Sequence, residues 1–242
     1  MKIGFENGIV AEQFFKLAGQ FIEEGNICLT KEDVSIKSID VQQICLIEIN
    51  IPRIVFKQYE VEEDKKIGID FDLFNKEINK LKNKLVTISD SDGKLTVVIG
   101  NLMTKTIPII ECEVPELPTP NIPYDTEIEI NRKTLLEIAK ECYKTSSTIS
   151  IEANSYGIEF SASKDGTNSN AFLGKEAKEI INFKAVETVK ALFPTEYLIS
   201  FLKNCFAETV SLKLKTDSPV KITADFNGAK IMFLLANKMR GD

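Results

Sequence analysis

Two periods of apolar residues alternate along the chain, and each predicts a type of element. Val10, Phe14, Leu17 and Phe21 recur at spacings of four, three and four, one face of a helix over residues 9–24 that Gly25-Asn26 closes. The same period returns at Phe71, Phe74, Ile78 and Leu81 (a helix over 71–84) and at Leu135, Ile138 and Cys142 (131–144). It appears a fourth time at Leu198, Phe201 and Cys205, in a helix over 194–204 that opens on Pro194, where proline is tolerated. Elsewhere the period shortens to two, as in Val34-Ser-Ile36. This predicts strands over 2–5, 27–30, 34–39, 44–51, 66–70, 85–90, 94–99 and 105–110. Further strands are predicted over 126–130, 148–152, 156–162, 170–174, 179–183, 186–192, 210–215, 220–225 and 230–235. Asp92-Gly93 and Asn227-Gly228 between β-branched runs predict hairpins. Residues 53–59 carry little pattern, 60–64 read as a solvated acidic loop, and 164–168 as a polar turn.

The stretch 111–124, ECEVPELPTPNIPY, holds four of the eight prolines and no glycine. Proline fixes φ and removes a backbone donor, so this stretch is predicted to be an extended, stiff tether. Either side of it the order is strand, helix, several strands, helix, three strands. The expectation is therefore an α+β chain of two similar domains, 1–114 and 125–242, joined by a connector over 115–124. Hairpin-linked strands with helices on one face imply antiparallel sheets. Pro108 cannot donate to a ladder, which places the 105–110 strand at an edge or an interface.

Composition narrows the function classes. With 43% hydrophobic and 27% charged residues in 242, the chain reads as a soluble globular protein with a core. No apolar run reaches the roughly 18 residues of a membrane span, and the start MKIGFENG reads as a strand and turn rather than a leader, so no membrane partner is expected and the cytoplasm is the expected location. The five cysteines are scattered without a C-x-x-C pair, and histidine is absent. Core cysteines are the expectation, and the usual Ser–His, Cys–His and His–zinc chemistries are excluded. No glycine-rich phosphate loop is present, and Asp90, Asp92 and the 62–64 acids lack calcium-loop spacing. No enzyme activity, cofactor or metal is predicted.

The net charge of −6 argues against a nucleic-acid binder until its distribution is considered. Opposite their apolar stripes, the second helix carries Lys76, Lys80 and Lys84, the third Lys133, Lys140 and Lys144 with Glu137, and the fourth Lys203 with Glu196. The first offers Lys16 beside Glu12 and Glu23. Ordinary solvated helix faces are one reading. The other is a surface that tracks phosphates with point charges and no base-reading geometry. No aromatic residues interleave with these lysines, which excludes a single-strand stacking platform.

Several local sequences, in order, resemble the DNA sliding clamps of the proliferating cell nuclear antigen family, especially the archaeal ones. Residues 38–46, SIDVQQICL, look like the family's stretch around "MDxSHV"; Glu196-Tyr197-Leu198 opens the last helix; and IMFLLANK after Lys230 looks like its closing "LLAPK". The resemblance implies a duplicated clamp module, with four helices lining the hole of a ring trimer, homo- or heteromeric, and sheets outside. It implies a nucleoid-associated processivity factor that encircles double-stranded DNA and serves replication and DNA repair. Expected partners are a clamp loader and DNA polymerase, flap endonuclease and DNA ligase, held through short peptide motifs. Carried over by position, Lys16, Lys76, Lys80, Lys140, Lys144 and Lys203 would face DNA. Ile39, Gln43, Ile44, Leu46, Leu117, Pro120, Pro219, Leu234 and Ala236 would receive partner peptides. Thr106, Pro108 and Ile110 would pair with Ala177, Glu179 and Ile181 of a neighbouring subunit. Gln43 replaces the family's usual histidine and Asn237 the closing proline. Two other readings stay open: a specialised subunit of a heteromeric clamp with little DNA affinity, and a duplicated α+β protein that binds or transforms a small ligand.

Overall fold

The chain forms two units, Met1–Leu117 with Asp225–Ile231, and Pro118–Ala224 with Met232–Asp242. The computed structural model describes residues 1–78, 84–113 and 118–239. The first half runs β1 (Lys2–Phe5), α1 (Gly8–Gly19), β2 (Glu24–Leu29), β3 (Asp33–Ile39), β4 (Cys45–Pro52), a 3₁₀ turn (Arg53–Val55), β5 (Gln58–Glu60) and β6 (Lys65–Asp70). It continues with α2 (Phe71–Ile78), β7 (Val86–Ser91), β8 (Lys94–Ile99) and β9 (Met103–Pro108). The second half runs β10 (Thr126–Asn131), α3 (Arg132–Thr145), β11 (Thr148–Asn154), β12 (Gly157–Lys164), β13 (Thr167–Gly174), β14 (Ile180–Ala185) and β15 (Val189–Pro194). It closes with α4 (Thr195–Asn204), β16 (Thr209–Leu214), β17 (Val220–Phe226) and β18 (Ala229–Leu235).

Both halves have the order strand, helix, five strands, helix, three strands. Sheet order repeats as well. In the first, the neighbours are β5-β1-β7-β8-β9 and β4-β3-β2-β6; in the second, β14-β10-β16-β17-β18 and β13-β12-β11-β15. The registers within these sheets are antiparallel, as between β3 and β4 or β12 and β13. The mixed α+β, antiparallel, doubled fold expected from the pattern is the one observed.

The helices form for local reasons that the apolar spacing captures only in part. Asn7 caps α1 by accepting the Ile9 N–H at 2.9 Å. The buried face of α1 is Ala11, Phe14, Phe15, Leu17 and Ala18, while Val10 and Phe21 are half-buried, so the stripe is rotated from the expected one. The helix also stops earlier than the expected residue 24. Gly25 is no cap: it pairs with Ile69 in β2–β6, and a Cβ there would meet the Phe71 ring at 3.2 Å. Phe15 and Phe74 pack at 4.5 Å between ring centroids, joining α1 to α2. In the second unit Phe201 of α4 stacks on Phe233 of β18 at 4.6 Å.

Asp92-Gly93, Asp165-Gly166 and Asn227-Gly228 all have positive φ at both residues, the geometry a two-residue hairpin needs to match strand twist. Strand β5 falls where no pattern was legible. Residues 79–83, the end of the expected second helix, lie outside the described residues, and so do 114–117 of the connector. Residues 118–123 take part in no helix or strand. Among the described residues, no helix is long and apolar enough to cross a membrane.

Candidate nucleic-acid interface

Each helix buries one stripe, and the spacing that builds the core also sets the exposed one. In α3, Leu135, Ala139 and Cys142 are buried, which leaves Lys133, Glu137, Lys140 and Lys144 exposed along one side. Asn131 sets where that stripe begins, its side-chain oxygen accepting the N–H groups of Lys133 at 3.0 Å and Thr134 at 3.2 Å. In α4, Leu198, Phe201 and Leu202 are buried, with Glu196 and Lys203 exposed. In α2, Phe71, Phe74 and Ile78 are buried, with Asp72 and Lys76 exposed; in α1 the exposed cation is Lys16. Lys80 lies outside the described residues. Lys84 is exposed but not helical, and its carbonyl accepts the Gly8 N–H at 2.8 Å.

Not all these cations are equally available. Lys144 Nζ sits 2.6 Å from Glu141 Oε1, a neighbour three residues back on the same helix. Lys16, Lys76, Lys133, Lys140 and Lys203 make no ion pair among the described residues. Arg132 adds to the charge of α3 but is committed elsewhere: its Nε donates to the Ala207 carbonyl at 2.7 Å and its Nη1 to the Leu202 carbonyl at 2.6 Å. Leu202 lies in the last turn of α4, where carbonyls have no partner within the helix, and Ala207 lies three residues past its end, so the guanidinium closes α4 and ties it and the following turn to the start of α3. Nothing in the spacing of the chain marks Arg132 for that task.

The residues expected to receive partner peptides fall in both units, each set with its own local order. In the first, Asp40 is buried and its Oδ1 accepts the N–H groups of Ile44 and Cys45, both at 2.7 Å. Gln43 holds φ at 57°, its own N–H donating to the Asp40 carbonyl at 2.9 Å. This tight loop leaves Ile39 and Ile44 half-buried and Leu46 buried, and it displays Val41 at 87% exposure. Val41 lies inside the SIDVQQICL stretch but carried no signal of its own. In the second unit Leu234 is buried, Pro219 and Ala236 are half-buried and Pro120 is exposed. Leu117 lies outside the described residues. Past β18 the chain is held by Lys238, whose N–H donates to the Leu192 carbonyl at 2.7 Å.

A family model described as the proliferating cell nuclear antigen, C-terminal domain, matches residues 118–239. The chain belongs to the proliferating cell nuclear antigen family. A DNA polymerase sliding clamp of Thermococcus onnurineus is 25% identical over 228 residues, 92% of each chain. The clamp structure from Thermococcus kodakaraensis superposes with a TM-score of 0.93 at 20% identity, covering 98% of this chain and 99% of that one. The fold is also shared with A. fulgidus PCNA bound to the C-terminal region of FEN-1 (TM-score 0.89, 19% identity, 100% and 99% covered). It is shared again with a PCNA2–PCNA3 complex of Sulfolobus tokodaii (TM-score 0.90, 21% identity, 98% and 99% covered). Clamps of this family are processivity factors without enzymatic activity.

Of the residues expected at a subunit contact, the strand assignment near 177–179 is corrected. Thr106 and Pro108 are exposed on β9, a terminal strand, as the proline implied. Ile110 lies beyond the strand and its N–H donates to the Gly68 carbonyl at 3.0 Å. Ala177 and Glu179 belong to no strand: the Ala177 N–H turns back to the Gly174 carbonyl at 2.8 Å, and the Glu179 carbonyl accepts the Asn131 N–H at 2.8 Å. Ile181 is in β14, opposite a register shift between Glu129 and Ile130. The apolar runs near 170 and 180 belong to different sheets. The terminal strand of the sheet that contains β12 is β13.

Proposed function

We propose that this clamp is a subunit of a closed ring that encircles double-stranded DNA inside the cell and tethers replication and repair enzymes to it. The observation that carries this reading is the stripe of Lys133, Lys140 and Lys144 on α3, with Lys203 on α4, in a chain of net charge −6. Lys16, Lys76 and Lys80 add to it. Flexible lysines without base-reading partners hold a duplex by its phosphates and let it slide. Glu137 and Glu196 on the same faces keep direct affinity low, so retention is topological.

Partner peptides, in this reading, contact residues among Ile39, Gln43, Ile44, Leu46, Leu117, Pro120, Pro219, Leu234 and Ala236. The C-terminal region of FEN-1 bound to the similarly folded A. fulgidus PCNA favours a peptide mode of this kind. DNA polymerase and DNA ligase are the other expected clients, and a clamp loader opens the ring. The test is loading onto nicked circular and linear DNA, with loader and ATP supplied. Retention at high salt on the circle alone is expected, and equal loss from both substrates overturns the reading.

The heteromeric PCNA2–PCNA3 complex of the same fold favours a second reading, in which this chain needs sister subunits to close the ring. Sedimentation of the chain alone and with such subunits separates the two.

A further inference from the structure

Strands β14, β10, β16 and β17 lie side by side in the second unit, and a line of charge crosses them on the face turned away from the core. Strand β10 sets Glu127 opposite Lys184 of β14 on one side and Lys213 of β16 on the other. Lys213 in turn lies opposite Lys221 of β17. Their neighbours along the strands, such as Ile128, Leu212, Leu214 and Ile222, are buried, so the four charged side chains share the opposite face. Three lysines thus share one carboxylate, in a chain of net charge −6.

Sheet stability does not explain this line. Like charges directly opposite on neighbouring strands are destabilising, as Lys213 and Lys221 are. Lys213 Nζ sits 3.3 Å from Glu127, whose Oε1 also accepts the Ser211 hydroxyl at 3.2 Å. Lys184 and Lys221 make no ion pair among the described residues. The duplication supplies a control. By element order β7 and β8 correspond to β16 and β17, and their half-buried face sets Thr87 against Val98 and Ser89 against Thr96. The same design therefore stands without lysines there.

A concavity of about 200 Å³ lies at one end of the line, lined by Lys184, Glu127 and Lys213 together with Ile122, Tyr124 and Asp125. Its own acids have partners, Glu127 as above and Asp125 with Lys215 Nζ at 4.0 Å. The space suits a side chain with an apolar stem and a carboxylate, the stem against Ile122 and Tyr124 and the carboxylate at Lys184. A phosphate has no stem to lay there, which favours an acidic side chain over nucleic acid.

The other end of the line meets the surface assigned above to partner peptides. Pro219 precedes Lys221 by two residues, and β18, the strand beside β17, carries Leu234. Resting on that peptide reading, we propose that Lys184, Lys213 and Lys221 dock an acidic, extended segment of the partner protein, continuous with the part that covers the apolar surface. Lys221 to Lys184 is three strand-to-strand steps of about 4.8 Å, roughly 14 Å, which about four or five extended residues span. Acids at alternate positions meet the lysines, and the outermost enters the concavity. Helix α4 packs on the buried side, Phe201 against Phe233, so a segment on this strip leaves Lys203 free for phosphate.

The test uses the full chain. The probe is the C-terminal region of FEN-1 that A. fulgidus PCNA holds, labelled with fluorescein and extended at either end by Glu-Ala-Glu-Ala-Glu or by Gln-Ala-Gln-Ala-Gln. Anisotropy is expected to show the better Glu-extended probe binding about fivefold tighter than its Gln counterpart at low salt, a difference that shrinks as salt rises. Lys184→Gln with Lys221→Gln should abolish that difference. Lys184→Glu with Lys221→Glu should move the preference to a Lys-Ala-Lys-Ala-Lys extension. Glu and Gln probes that bind alike, or a preference for Glu that survives both double variants, overturn the proposal. So does a DNA duplex that loses as much affinity as the Glu probe in the Gln double variant, since the strip then serves phosphate. If the unextended probe does not bind, the peptide reading fails, and free labelled Glu-Ala-Glu-Ala-Glu is compared with its Gln counterpart. A difference that the double variants remove keeps the strip, and no difference overturns it.

Discussion

The two units repeat one order of elements but lock their helix pairs by opposite means. In the first, α1 and α2 approach so closely that a Cβ on Gly19 would lie 2.4 Å from Asn75 Nδ2, and that amide donates to the Phe15 carbonyl at 3.1 Å. In the second, the Arg132 guanidinium spans from α3 to the Leu202 carbonyl in the last turn of α4 and the Ala207 carbonyl just past it. A notch holds one pair and a charged arm the other. The arm takes a cation from α3, yet the exposed stripe still keeps Lys133, Lys140 and Lys144. Among the described residues of α1 and α2, Lys16 and Lys76 each stand one helical turn from an acid, Glu12 and Asp72. Duplicated architecture has thus diverged in how it is fastened and in the charge it presents.

Removing the arm should have the largest effect. Arg132→Met strips two charge-assisted bonds and leaves two carbonyls without partners, expected to cost about 2–4 kcal/mol. Urea unfolding should show the loss, and hydrogen exchange should localise it to residues 200–208 while α1 and α2 keep their protection. Equal loosening of both helix pairs would contradict the division of labour described above.

Filling the notch comes next. Gly→Ala inside a helix ordinarily stabilises by about 0.5–1 kcal/mol. At Gly19 the new methyl displaces the Asn75 amide, so the expected sign is reversed, with a net cost of about 1–2 kcal/mol. Asn75→Ala made in the Gly19→Ala background should recover part of that cost. A double-mutant cycle with no coupling between the two positions would show that the contact is not what holds the pair.

A third contrast is electrostatic. Strand β7 of the first unit carries Asp90, whereas its counterpart β16, TVSLKL, has no acid. Burial pushes the Asp90 carboxyl up, but hydrogen bonds from Lys65 and the Met1 amino group outweigh it and hold the group below the ordinary carboxylate range. A depressed folded value contributes stability that is complete above the unfolded value near ~4 and is lost as pH falls through the lower folded value. Asp90→Asn should therefore cost about 1 kcal/mol at pH 7, discounted for the half-exposed lysine, and much less near pH 3. Matching urea midpoints for the two proteins at pH 7 would refute it.

How much of this was legible in the chain depends on whether a feature is local. Periodicity found all four helices and the doubled order, because a buried stripe is written in consecutive residues. It misplaced the start of β14, putting Glu179 in a strand, because two sheets ending near each other in sequence look alike as apolar runs. It also made Gly25 a helix cap, since nothing nearby announces that Phe71 lies over it. The clasp of Arg132 joins residues about seventy apart, which no window along the chain can hold. Exposed lysines were found readily. Which of them are free was not, because Glu141 and the end of α4 decide that in space.

The smallest effect asked for is also the most direct comparison of the two charge stripes. Lys140 makes no ion pair among the described residues and lies on one stripe with Lys133 and Lys144. Lys16 is the exposed cation of α1, with Glu12 a turn away. A lysine that contacts phosphate releases counterions on binding, so removing it lowers the slope of log affinity against log salt by about 0.9. Lys140→Gln should approach that figure for a short linear duplex, whereas Lys16→Gln should change the slope by less than half as much. Neither should alter the melting temperature, since both side chains are exposed and bear no packing. Equal slopes for the two variants would mean that the duplex meets both helix pairs alike, and that the divergence in fastening left the charge they present unchanged.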